Sequence, residues 1–295
     1  MPELPEVQTT ADELNQKVRN RTFVDVWTDS PKQVKKPKSY SEFKKKLLNK
    51  KIIKVRHRAK NILFDLTGER TLLIHQKLTG HLLYGKWMWS EKTWKPSEKG
   101  DIHDPLNRFL HMLFFLDNGK QLALSDLRKF AKVELWDNAS LAESKEMKNL
   151  GCEPLEKDFT FKKFMICLSK GSGRIKQILM NQNIIAGIGN IYSDEILWRA
   201  KVHPCKCRAD LNKKELKSIY DSIKIILKDA IKFRGTTIVS NVEEYRDVSG
   251  GRGNYQNRLK VYRKEGQECW SCGGKIERIK VSGRSWHYCP KCQVL

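Results

Sequence analysis

No stretch of this sequence approaches the roughly 20 consecutive apolar residues that a membrane-spanning helix needs. Its opening, MPELPEVQTT, lacks a basic region followed by a greasy core. A spanning or secreted protein is therefore not expected, and the chain reads as intracellular, cytoplasmic or nucleoid-associated. Low-complexity tracts and fixed-period repeats are also missing, while tryptophan and phenylalanine run through the whole length. That argues against a disordered chain and against a solenoid. Cysteine is too sparse for a disulfide-stapled scaffold, with 8 in 295 residues, a length that suits about two domains. Acidic residues are scarce as well: 34 Asp and Glu stand against 57 Lys and Arg, a net charge of +23. Such a surplus suits a phosphate-rich partner, nucleic acid before an anionic membrane surface.

What is present divides the chain by period. Val7, Ala11, Leu14 and Val18 recur at near-helical spacing, so Glu6 to Val18 is predicted to be an amphipathic helix with Pro5 in its first turn. From Thr22 to about Trp136 the period becomes two. The runs TFVDVW, KIIKVRHR, NILFDL, TLLIHQ, HLLYG, HMLFFL, QLALSD and AKVELW predict a β-sandwich or barrel. Met88 to Asn107, polar with two prolines, reads as a long surface excursion. Helical patterns return at Thr160–Lys170, Arg174–Asn181, Ile191–Ala200 and Lys213–Phe233, the last with Leu216, Ile219, Ile223, Ile226, Leu227 and Ile231 on one face. After Gly235 come a glycine-rich stretch, Asp247 to Asn254, and a strand-like RLKVYR.

Three local signals carry chemistry. Cys269-x2-Cys272 and Cys289-x2-Cys292, sixteen residues apart, have zinc-ribbon spacing and leave no ligand position open, so one structural zinc is expected. Lys275, Arg278, Lys280 and Arg284 between them offer cations to phosphates. Cys152, Cys167, Cys205 and Cys207 form no second array and read as structural or incidental. The turn Gly187-Ile188-Gly189-Asn190 opens a helix, which makes it either an anion site or an ordinary interhelical turn. Finally, removal of Met1 would leave Pro2 as a free secondary amine with a pKa near the α-amino value of about 8. Such an amine can attack a sugar C1′ and form an iminium, with the adjacent Glu3 as proton donor; equally, MPE is a common way for a protein to begin.

Taken in order, PELPEV, RAKNILF, DLRKF, GIGNIYSDE, the GTT after the long helix and the terminal cysteine array closely resemble the formamidopyrimidine-DNA glycosylase and endonuclease VIII family. The resemblance implies an α+β multidomain fold. Its parts are an N-terminal β-sandwich with a leading helix (1–145), a helix-two-turn-helix domain (146–236), and a lesion-capping loop with a four-cysteine zinc finger (237–295). It implies base-excision repair, with glycosylase and AP lyase activities on one polypeptide. Pro2 then forms the Schiff base, Glu3 is the acid/base group, and Glu6 supports them. Lys60, His75, Asn190 and Arg284 match phosphate ligands. Arg128 and Phe130 match residues that fill the space left by an everted base, with Leu78 standing where the purine-directed branch has methionine. Ala131 replaces the usual glycine. The expected partner is damaged double-stranded DNA, bound by a monomer without a small-molecule cofactor and away from any membrane.

PELPE and the Arg-x-Phe pair favour oxidised purines, 8-oxoguanine and formamidopyrimidines, with strand cutting by β,δ-elimination. The alternatives are the same chemistry on oxidised pyrimidines, a non-catalytic DNA-damage binder, and a zinc-ribbon protein of the translation apparatus.

Overall fold

The computed structural model describes residues 1–238 and 245–295; the six residues between them, which belong to the expected lesion-capping loop, lie outside the described residues. Two compact units emerge. The first is Met1–Lys148 with Phe233–Gln256; the second is Asn149–Lys232 with Asn257–Leu295.

The first unit opens with α1 (Leu4–Val18), whose apolar positions Val7, Ala11, Leu14 and Val18 are all buried, as the sequence period requires. There follow β1 (Phe23–Thr28), β2 (Val34–Lys36), α2 (Tyr40–Leu47), β3 (Ile52–Arg58), β4 (Asn61–Leu66), β5 (Arg70–His75), β6 (Gly80–Gly85), β7 (Trp87–Ser90), β8 (Thr93–Pro96), β9 (Leu110–Leu116), β10 (Gln121–Asp126) and β11 (Lys132–Asp137). Short helices α3 (Asn138–Glu143) and α4 (Lys145–Lys148) close it. Two large sheets form, in the orders β1-β9-β10-β6 and β2-β11-β5-β4-β3, with β7 and β8 paired apart from them.

One apolar core takes Phe23, Val26, Leu82, Met112, Phe114 and Leu124 from the first sheet. The second sheet contributes Val55, Ile62, Phe64, Leu72, Ile74 and Val133, and α1 lies against the same core. This is the expected sandwich. Ile62 faces Ile74 and Phe64 faces Leu72 across β4 and β5, so a slip of one residue would turn both pairs out of the core.

The second unit holds α5 (Phe161–Leu168), α6 (Ile175–Met180), α7 (Asn190–Ala200), α8 (Lys213–Lys232) and the hairpin β12 (Glu277–Val281) with β13 (Arg284–Tyr288). Leu216, Ile219, Ile223, Ile226 and Leu227 of α8 are buried, as their spacing predicts. Among the described residues, no helix is long and apolar enough to cross a membrane.

One reading of local sequence needs correction, and two gain detail. Arg258 to Arg263 is no strand: Glu195 of α7 takes the backbone N–H groups of Lys260, Val261 and Tyr262, each at 2.9 Å, and so occupies the donors a ladder would use. The excursion Met88–Asn107 is partly ordered. It contains the β7–β8 hairpin, where Trp94 packs edge to face on both Trp27 and Trp89, followed by two 3-10 turns, Asp101–His103 and Pro105–Arg108. Cys152 and Cys167 are joined in the structure with Cα atoms 6.7 Å apart, because Cys152 bridges to Ile185 while Cys167 lies buried near the end of α5. Their sequence spacing carried no sign of this.

Candidate active site

Burial begins directly after Met1, which is itself exposed. Pro2, Glu3 and Glu6 have almost no exposure, and α1 begins at Leu4 with Pro5 in its first turn, where a missing N–H costs nothing. The Glu6 carboxylate accepts the Glu3 N–H at 2.8 Å through one oxygen and the Thr236 N–H at 2.7 Å through the other. It therefore fixes the residue that carries the expected acid and ties α1 to the GTT motif. Gly235 explains the glycine of that motif: its φ is +77°, and a Cβ would stand 2.7 Å from Glu6 Oε1.

Lys60 and His75 lie at neighbouring ends of paired strands. Lys60, nearly buried, ends the tight turn between β3 and β4, in which Ala59 has φ +52°, and His75 ends β5. Loss of water, then the charges of Lys77, Lys132 and Lys60, push the His75 pKa down to about 3. The ring is thus neutral at physiological pH. Its Nδ1 accepts the Lys77 N–H at 3.0 Å, which leaves the proton on Nε2 as a donor suited to a phosphate oxygen.

Leu78, Arg128 and Phe130 occupy two turns tied together by Asp126. This fully buried carboxylate accepts from the Thr79 hydroxyl, from Gln33 Nε2 at 3.1 Å and from the Ala131 N–H at 2.7 Å, while Thr79 Oγ1 in turn accepts the Arg128 N–H at 3.1 Å. Leu78, adjoining Thr79, is half-buried. Phe130 is 50% exposed, and the Arg128 guanidinium lies 4.6 Å from its ring centroid. Ala131 fits because the left-handed position of the turn falls on Lys129, φ +55°, and not on residue 131. The sequence reading passed over Asp126, Thr79 and Gln33; the signal was a carboxylate ending the apolar run QLALSD.

Asn190 and Arg284 are brought together within the second unit. Gln182 clasps the glycine turn by accepting the Gly187 N–H at 2.8 Å and donating to the Ile188 carbonyl at 2.7 Å. Asn190 opens α7 and donates from Nδ2 to the carbonyl of Ser285, next to exposed Arg284, at 3.0 Å. Further along α7, Asp194 accepts the backbone N–H of His287 at 3.1 Å and pairs with buried Lys176 at 2.5 Å. Asp194 and Glu195 were not foreseen as the posts on which the finger hangs. Burial pushes the Glu195 pKa up, against the three N–H groups that favour its ionised form.

The four Sγ atoms of Cys269, Cys272, Cys289 and Cys292 lie within 4.8 Å of one another. Thiolates about 2.3 Å from a tetrahedral zinc stand about 3.8 Å apart, and the Cys269–Cys292 and Cys272–Cys289 separations are 3.9 and 3.4 Å. The set therefore fits one structural zinc, with Trp198 of α7 donating to Cys269 Sγ at 3.4 Å. Lys275, Arg278, Lys280 and Arg284 are all exposed around it.

Comparison with known proteins bears on every one of these regions. A family model described as the formamidopyrimidine-DNA glycosylase N-terminal domain matches residues 1–133, the H2TH domain of the same glycosylase matches 150–242, and a zinc finger found in FPG and IleRS matches 266–294. The chain is 39% identical over 293 residues to the formamidopyrimidine-DNA glycosylase of Pelotomaculum thermopropionicum, covering 99% of both chains. To that of Herpetosiphon aurantiacus it is 37% identical, covering 99% of this chain and 100% of the relative. Among solved structures, Lactococcus lactis Fpg in complex with DNA containing N7-benzyl-Fapy-dG superposes with a TM-score of 0.85 at 33% identity over the full length of both chains. The same protein with abasic-site DNA gives 0.84 at 32% identity, covering 99% of this chain and 100% of that one.

Proposed function

This chain belongs to the formamidopyrimidine-DNA glycosylase family, and from that premise we propose that it is a bifunctional glycosylase and AP lyase excising oxidised purines from duplex DNA. The observation that carries the reading is the buried Pro2-Glu3 terminus braced by Glu6. With Met1 removed, the Pro2 nitrogen lone pair bonds to C1′ while the glycosidic bond breaks and the base departs with that bond's electrons and a proton. In the same step Glu3 protonates the ring oxygen, so that the C1′–O4′ bond opens as the base leaves and an iminium remains. That cation is the electron sink for successive loss of the 3′ and 5′ phosphates, which is β,δ-elimination. Lys60, His75, Asn190 and Arg284 hold the backbone, and Leu78, Arg128 and Phe130 fill the vacated stack, with Arg128 suited to an orphaned cytosine. The zinc, when bound, folds the finger that presents Arg284 and supplies no step of the reaction.

Single-turnover base release from duplexes carrying 8-oxoguanine, formamidopyrimidine or an oxidised pyrimidine tests the reading. Faster release of the purine lesions is expected. Faster release of the pyrimidine lesion would overturn the substrate, and binding without release of any base would overturn the activity.

Charge gives a separate expectation. Each phosphate neutralised by a cation contributes about −0.9 to the slope of log affinity against log salt. Lys60→Ala and Arg284→Ala are each expected to flatten that slope by about this amount. His75→Gln, replacing a neutral ring, weakens binding at every salt concentration with the slope unchanged. An equal loss of slope in all three, measured by fluorescence anisotropy, would show that His75 binds as a cation.

A further inference from the structure

The insertion between β8 and β9 grips the glycine-rich segment that follows the long helix. Arg246, with no exposed surface, donates from Nη2 to both carboxylate oxygens of Asp104 at 3.1 and 3.2 Å. Asp104 is itself set by the turn it opens, accepting the Leu106 N–H at 2.9 Å. Asn107, 2% exposed, donates from Nδ2 to the carbonyls of Asp101 at 2.8 Å and Gly250 at 3.2 Å, and its Oδ1 meets His81 Nε2 at 2.9 Å. Since both amide protons of Asn107 are committed, Oδ1 is the acceptor and His81 the donor. Burial keeps that imidazole neutral, with its pKa pushed down to about 4. Contact is so close at Gly250, φ +89°, that a Cβ would stand 2.5 Å from Asn107 Nδ2. On its other side the segment is tied to α1, where Glu13 accepts the Val248 N–H at 3.3 Å, and to β6, where the Tyr84 N–H reaches the Val248 carbonyl at 2.7 Å.

We propose that Asp104 and Asn107 are positioning residues for base excision. The segment they grip, Asp247–Asn254, returns to the GTT turn that Glu6 binds, with the Gly253 N–H on Thr237 Oγ1 and the Asn254 N–H on the Phe233 carbonyl, both at 2.9 Å. It is thereby held beside the Pro2-Glu3 residues whose proposed reaction needs the everted base. The inference rests on the glycosylase reading above. A glycine-rich stretch has little stiffness of its own, so its place is set by what grips it. Misplacement of about 1 Å by a residue far from the chemistry costs on the order of 100-fold. An abasic site has no base to hold, so cleavage at one bypasses this requirement.

The test uses the full-length, Met1-free protein and two single-turnover rates: base release from a formamidopyrimidine duplex and strand cleavage at a preformed abasic site. Asn107→Ala and Asp104→Asn are expected to slow base release by about 10- to 100-fold and to leave abasic cleavage within about twofold. The exchange Asp104→Arg with Arg246→Asp is expected to recover most of the loss caused by Asp104→Arg alone. Parallel loss of both rates, or unchanged base release, would overturn the inference while the wild-type activities uphold the glycosylase reading. A wild-type protein that cleaved abasic DNA and released no base would overturn both.

Discussion

Stripping the zinc, or replacing Cys272 by alanine, is expected to unfold the β12–β13 hairpin and leave the β-sandwich intact. Among the described residues the finger's apolar cluster is small, Val261, Cys269, Ile276 and Cys289 with Trp198 beside it and Trp286 of β13 buried as well, and two of the cluster residues are the metal's own ligands. A metal contributing about 10–16 kcal/mol of apparent binding energy to such a module is a large part of its folding free energy. Glu195 would still hold the N–H groups of residues 260–262, so the melting boundary is expected beyond Tyr262. Arg284 would then lose its place beside Asn190. A charge-assisted phosphate contact is worth about 1.5–3 kcal/mol, which corresponds to roughly a 10- to 100-fold loss of DNA affinity. Hydrogen exchange across the chain, read beside anisotropy on lesion DNA, checks both halves. Protection retained in β12 and β13 after chelation would contradict the structural role of the metal.

Glu3→Gln is expected to slow base release by about 10²- to 10⁴-fold, the usual contribution of a general acid or base. The substitution keeps the shape of a side chain that is 3% exposed and leaves the Glu3 backbone N–H on Glu6. It removes the proton that the proposed mechanism delivers to the sugar oxygen. Duplex affinity is expected to stay within about twofold, because Glu3 is not among the proposed phosphate ligands. Single-turnover rates and thermal unfolding together separate lost chemistry from lost fold. An unchanged rate in a folded variant would remove Glu3 from the mechanism.

Where local sequence and tertiary demand agreed, the chain could be read. Helix α1 and the eight principal runs of alternating residues are placed by their own periodicity, because one face of each must reach a core. The zinc ligands were legible for a related reason: two short turns carry them in pairs, and the ion supplies the rest. RLKVYR failed because its alternation resembles a strand while its donors are claimed by Glu195, a residue 65 positions before Lys260. The ordered insertion after Met88 was equally hidden. Its polar residues look like solvent-facing ones until Arg246 and Gly250, more than 140 residues away, supply their partners. Asp126 makes the same point at the candidate site: it sits in the DLRKF motif, yet its role comes from Gln33 and Thr79 on other strands and turns. Side chains that hold a site together, unlike those that face the substrate, are defined by remote backbone groups.

The most direct test of the account is borohydride trapping of the Met1-free protein, its mass verified, on a duplex with one 8-oxoguanine opposite cytosine, beside oxidised-pyrimidine and abasic duplexes. The account predicts a covalent adduct on the 8-oxoguanine strand and on the abasic strand, mapped by peptide sequencing to Pro2. An adduct mapped to a lysine, or no adduct on any strand with abasic DNA included, would contradict the Schiff-base mechanism assigned to the amino terminus.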